Sequence, residues 1–120
     1  MTKVLIVEDD HFISSAYKTK LTKELFEVEL AFDGEEALEK ARTFMPDIIL
    51  LDLIMPKKDG FETLKELKND SKLKKIPVIV SSNLGQKEDI EKALTAGAKD
   101  YFVKSDISLN ELIEKIKKTA

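Results

Sequence analysis

Short apolar runs alternate with longer segments in which apolar residues recur three or four apart, and this alternation constrains the fold of the 120-residue chain more than any other feature. The strand candidates are Val4 to Val7, Phe26 to Ala31, Asp47 to Leu51, Pro77 to Ser81 and Tyr101 to Val103. Four of them are continuously apolar, which predicts burial on both faces. The exception, Phe26-Glu27-Val28-Glu29-Leu30, alternates apolar with acidic and suits a sheet edge, where one face meets water.

The intervening segments have helical period, as in Phe61, Leu64 and Leu67, or Leu109, Leu112, Ile113 and Ile116. Asp33 before Glu36 and Ser108 before Glu111 have the spacing of capping boxes, and Asp10 is placed to cap the first helix. Lys115, Lys117 and Lys118 favour the negative end of the last helix, and Gly97 fits a helix stop. Five strands alternating with five helices through short connections imply parallel strands, right-handed crossovers and helices on both faces of the sheet. The predicted fold class is therefore α/β, a flavodoxin-like doubly wound sandwich in one domain. An edge-like second strand suits the strand order 2-1-3-4-5, and ligands of such sheets bind beyond the carboxyl ends of the strands.

Composition narrows the function classes. Twenty Lys and Arg against 23 Asp and Glu leave a net charge of −3, which argues against a nucleic-acid surface. With no Cys there is no disulfide framework, thiolate nucleophile or Cys-based zinc site. No apolar stretch approaches the roughly 20 residues of a membrane span, and Met1-Thr2-Lys3 leads straight into a strand candidate, so neither membrane insertion nor secretion is expected and a cytoplasmic location is.

At the predicted strand ends stand carboxylates that burial does not require. The first strand runs into Glu8, Asp9 and Asp10, and the third, after Ile48-Ile49-Leu50-Leu51, into Asp52. If these strands are neighbours, like charges converge and call for a neutralising cation. Oxygen ligands without His or Cys point to Mg²⁺ or a similar divalent ion such as Mn²⁺. Ser81 and Ser82 end the fourth strand and Lys104 follows the fifth, adding hydroxyl and ammonium groups suited to an anion. His11 reads as an exposed helix-start residue, and Met55-Pro56 and Asp59-Gly60 as turn chemistry after Asp52.

Taken together, Glu8-Asp9 after Val4 to Val7, Asp52 within Asp47 to Pro56 and on to Asp59-Gly60, Ser82 after Pro77-Val78-Ile79-Val80, and Tyr101 three before Lys104 resemble a response-regulator receiver domain (CheY-like). The resemblance covers essentially the whole chain, and since the sequence ends directly after the fifth predicted helix, a stand-alone receiver over residues 1–120 with no output domain is expected. It further implies that Asp52 is the phosphoacceptor, taking a phosphoryl group from a histidine kinase or a histidine phosphotransfer protein. Asp9 would ligate Mg²⁺ directly and Glu8 through a water, with oxygens from Asp52 and the backbone carbonyl of Ile54. Lys104 and the Ser82 hydroxyl would each hold a phosphoryl oxygen. Ser82 moving toward the phosphoryl group and Tyr101 turning inward would then alter the face read by an unidentified downstream protein, the receiver itself being a monomer or weak dimer. Ser105 departs from the family's pattern, which usually has proline after the lysine.

Three other functions compete. An aspartate-nucleophile phosphohydrolase shares the strand-end Asp, Mg²⁺ and Lys, but wants a second acid two residues after the nucleophile, where Ile54 stands. A phosphate-independent docking module of receiver type would have no need of Asp9, Asp52, Ser82 and Lys104 together. A flavin or nucleotide site would want glycines, not Glu8-Asp9-Asp10, after the first strand.

Overall fold

The computed structural model of the chain describes residues 1–55 and 57–120. Pro56, expected to shape the turn after Asp52, lies outside the described residues. The described chain runs β1 (Lys3–Val7), α1 (His11–Lys23), β2 (Glu27–Ala31), α2 (Gly34–Phe44), β3 (Ile48–Leu51), α3 (Gly60–Asn69), β4 (Val78–Ser82), α4 (Lys87–Thr95), β5 (Asp100–Val103), a 3₁₀ turn (Lys104–Asp106) and α5 (Leu109–Thr119). All four strand pairings are parallel and the order is β2-β1-β3-β4-β5. This is the doubly wound sandwich that the alternation of elements predicts.

The side-chain period of two sorts the strands' apolar residues onto two faces. Leu5, Val7, Ile49, Leu51, Val78, Val80 and Tyr101 pack with Ala37 and Leu38 of α2, Leu64 and Leu67 of α3, and Ala93 of α4. Val4, Ile6, Ile48, Leu50 and Ile79 face the other way, onto Leu21 of α1 and Leu112, Ile113 and Ile116 of α5. Each fully buried Leu or Ile contributes about 1.5–3 kcal/mol, so the central strands are the most firmly held part of the molecule.

β2 is an edge, with Glu27 and Glu29 exposed as the alternation predicts. Burial of β5 on both faces is not observed: Phe102 and Val103 are only half-buried, because β5 is the other edge of the sheet and has β4 as its single strand neighbour.

The caps follow the sequence with one difference. Ser108 and Glu111 form a reciprocal capping box at α5. Asp33 accepts from the Glu36 amide at 2.9 Å, but the Glu36 carboxylate accepts from the amide of Phe32 rather than that of Asp33, so the reciprocal half reaches one residue further back. Gly97, just past α4, has φ 113°, a left-handed conformation that glycine adopts without a Cβ penalty. No described helix is long and apolar enough to cross a membrane.

Candidate functional site

Hydrogen bonding carries the sheet one residue past the ends of β1 and β3. The Glu8 amide donates to the Ala31 carbonyl at 3.0 Å, and the Asp52 amide to the Val7 carbonyl at 2.9 Å. Because Val7 pairs with Leu51, Glu8 and Asp52 stand at the same level on adjacent central strands. Alternation puts both on the face of Ile6 and Leu50, toward α1 and α5. The convergence expected from the sequence is therefore present: Glu8, Asp9 and Asp52 each offer a carboxylate oxygen, and these oxygens all lie within 4.8 Å of one another.

The three acids are not equivalent. Glu8 is 3% exposed and Asp52 8%, whereas Asp9 is exposed. The Glu8 carboxylate accepts from the Asp10 amide at 3.1 Å, while Asp10 turns away to cap α1 through the amides of Phe12 and Ile13. Asp10 is thus the helix cap its position predicts. His11 starts α1 and stacks on Phe32 with ring centroids 4.1 Å apart.

Lys104 reaches this cluster from the far side of β4. Its ammonium hydrogen-bonds Glu8 and lies 3.4 Å from the Asp52 carboxylate, and only 12% of the side chain is exposed. Burial pushes the Glu8 carboxyl above its ordinary value, and the neighbouring Asp52 charge adds to this against the opposing Lys104 and Asp10 hydrogen bonds. Burial also works against the Lys104 ammonium, but the Glu8 hydrogen bond and the two negative charges outweigh it and hold its pKa above the ordinary lysine value. The direct Glu8–Lys104 pair is a partnership that the sequence did not reveal: 96 positions separate the residues, and no local spacing signals the contact.

Ser82 and Tyr101 belong to the opposite face. Ser82 is fully buried and its hydroxyl accepts from the Leu84 amide at 3.3 Å, while the Tyr101 hydroxyl donates to the Leu84 carbonyl at 2.6 Å. Tyr101 is therefore already inward, with 9% of its surface exposed, and its phenol is pushed above its ordinary pKa by burial. Ile54 follows Asp52 by two residues with its side chain well exposed. No described peptide bond is cis, and the chain after Lys104 passes through Ser105 in a 3₁₀ turn.

One supporting residue read only as turn chemistry proves to bear on the site. Gly60 opens α3 directly against the Asp52 carbonyl and the Leu53 Cα, where a Cβ would collide with both backbones. The close approach of α3 to the end of β3 therefore depends on glycine.

The oxygen set suits a hard divalent cation. It has no nitrogen or sulfur donor, its oxygens are closely spaced, and the exposed Asp9 gives access from solvent. Residues 4–117 match the response regulator receiver domain family. The chain is 37% identical over 119 residues to chemotaxis protein CheY of Bacillus subtilis, covering 98% of this chain and 96% of that protein. It is also 39% identical over 102 residues to response regulator PleD of Caulobacter vibrioides, covering 85% of this chain and 22% of PleD, so it spans about a fifth of that relative's length. Among solved structures, the receiver domain of the Francisella response regulator 1452 superposes with a TM-score of 0.91 at 35% identity, over 99% of this chain and 96% of that one.

Proposed function

The chain belongs to the response regulator receiver domain family of two-component signalling, and on that premise we propose that Asp52 accepts a phosphoryl group from the phosphohistidine of a histidine kinase or a histidine phosphotransfer protein. The observation that carries this reading is a nearly buried carboxylate at a strand end, beside two further carboxylates and an ammonium 3.4 Å away. An Asp52 oxygen attacks phosphorus, the P–N bond to imidazole breaks as the P–O bond forms, and the imidazole leaves with a proton.

Such a transfer depends on positioning and on neutralising the phosphoryl oxygens. Asp9, Glu8, Asp52 and the Ile54 carbonyl would hold Mg²⁺ or Mn²⁺. That ion, when bound, offsets the charge of the acids and of the incoming phosphoryl oxygens. Lys104 supplies a fixed positive charge from the opposite side, and Ser82 a hydroxyl one residue beyond the strand row of Asp52. Once Asp52 carries the phosphoryl group, Lys104 and Ser82 gain a stronger acceptor, and this differential interaction can shift a two-state equilibrium. Tyr101 is linked to Ser82 through both backbone groups of Leu84, so a movement of Ser82 is transmitted to it. The face formed by α4, β5 and α5 would then bind a downstream protein in the cytoplasm.

We read the protein as a signalling switch whose chemistry is confined to its own phosphorylation and dephosphorylation, acting through a downstream protein and as a monomer or weak dimer. Ile54 and Leu84, both apolar and two residues past Asp52 and Ser82, flank the approach of a hydrolytic water and make dephosphorylation slow. Making both polar should shorten the phosphoryl half-life; an unchanged half-life removes that role. The reading as a whole is tested with acetyl phosphate and Mg²⁺. The expected product is an acyl phosphate that hydroxylamine discharges, whereas a hydroxylamine-resistant adduct would indicate a serine ester and contradict it.

A further inference from the structure

Ser81 is 2% exposed, and its hydroxyl oxygen is a buried side-chain polar atom with no hydrogen-bond partner among the described residues. An unpartnered alcohol at the end of a buried strand is unfavourable, and an apolar residue of similar size would serve packing better. Its position in the sheet offers a reason for it. Val80 pairs with Leu51 and Leu51 with Val7, so the next residues, Ser81, Asp52 and Glu8, form one row across the three central strands. Ser81 shares the face of Ile79, which packs with Leu50 and Ile6, and so lies on the same side as Asp52 and Glu8. Ser82 belongs to the other face, with Tyr101 and Leu84.

Lys104 crosses this row. It follows β5, whereas its ammonium meets Glu8 after β1 and Asp52 after β3, and β4 lies between. Its side chain must therefore pass over the end of β4, where Ser81 pairs in register with Phe102, two residues before Lys104. While Glu8 and Asp52 both hold the ammonium, Ser81 has nothing to bind. When Glu8 turns toward a divalent cation, the buried ammonium loses a partner and needs another acceptor along the same path.

We propose that Ser81 is a positioning residue whose hydroxyl takes up the Lys104 ammonium when Glu8 is engaged by a divalent cation. The inference rests on the phosphoryl-acceptor reading above and assigns the otherwise unused hydroxyl to the loaded state of the same site. A buried polar group unsatisfied in one state and paired in the other favours the second, so Ser81 shifts the equilibrium toward cation binding.

The test compares Ser81→Thr with Ser81→Val, which match in shape and differ in the hydroxyl, and adds Ser81→Ala as a variant that cannot overpack. Mg²⁺ affinity is measured by calorimetry and thermal stability is measured without metal. Val and Ala should bind Mg²⁺ about tenfold more weakly than wild type, and Thr close to wild type. The metal-free melting temperature of the Ala variant should equal or exceed that of wild type. In a Lys104→Met background, Ser81→Ala should have no further effect on Mg²⁺ affinity. Wild-type affinity in both Val and Ala variants, or an equal loss in the Thr variant, overturns the role of Ser81 alone. A wild-type protein that binds no Mg²⁺ overturns this inference together with the metal site beneath it.

Discussion

At the carboxyl ends of the strands the two faces of the sheet solve the problem of buried polarity differently. On the α1/α5 side, Glu8 and Asp52 face a single ammonium, so two negative charges share one positive partner. On the α2/α4 side, Ser82 and Tyr101 are neutral, and their hydroxyls are satisfied by the backbone of one residue, Leu84. The first arrangement has an excess of negative charge that a cation or a change of partners relieves. The second is balanced and changes only if the Leu84 segment moves. In the proposed switch, the charged face senses the ligand and the neutral face reports it.

The largest effect that separates the faces should come from Lys104→Met. Removing one partner of a buried ion pair leaves the other charges uncompensated, and denaturation at pH 8 should show a loss of about 3 kcal/mol. The loss should shrink toward pH 5. Glu8 already sits above its ordinary value of 4.5 in the fold, so the folded state holds its proton more tightly than the unfolded state. Stability from that proton is fully present below 4.5 and is lost as pH rises through the folded value. A deficit that stays constant with pH would show that Glu8 is not the charge left behind.

Next in size is Gly60→Ala, whose Cβ meets the backbones of Asp52 and Leu53 and forces α3 away from the end of β3. Roughly 2 kcal/mol of stability should be lost, together with the rate of phosphoryl uptake, because Asp52, the proposed phosphoacceptor, is displaced. Gly85→Ala is the control: a Cβ there meets only the Val103 side chain at 3.6 Å, so neither quantity should change measurably. Tyr101→Phe probes the neutral face alone. Deleting the hydroxyl bond to Leu84 should cost about 1 kcal/mol and leave Mg²⁺ affinity at the wild-type value. A change in that affinity would mean the two faces are coupled before any phosphoryl group arrives.

The difference between the faces also marks where sequence reading stopped. The alternation of strand and helix, the edge character of Glu27 to Ala31 and the meeting of Glu8, Asp9 and Asp52 were all legible, because period and strand-end position are local properties. The half-burial of β5 is not legible in its sequence, since an apolar run does not say whether a second strand will cover it. The Lys104–Glu8 pair and the unpartnered Ser81 hydroxyl were not visible. Both arise where side chains from opposite ends of the chain cross one strand end, and only the strand order and register bring them together.

The central claim, that Asp52 is a cation-dependent phosphoryl acceptor, is tested most directly by intact-protein mass after incubation with acetyl phosphate. Wild type and Asp52→Ala are compared with Mg²⁺ and with the metal chelated. A single phosphoryl adduct on wild type with Mg²⁺, absent on chelation and absent in Asp52→Ala, is the predicted result. An adduct that persists in Asp52→Ala, or forms equally well without a divalent cation, would contradict it.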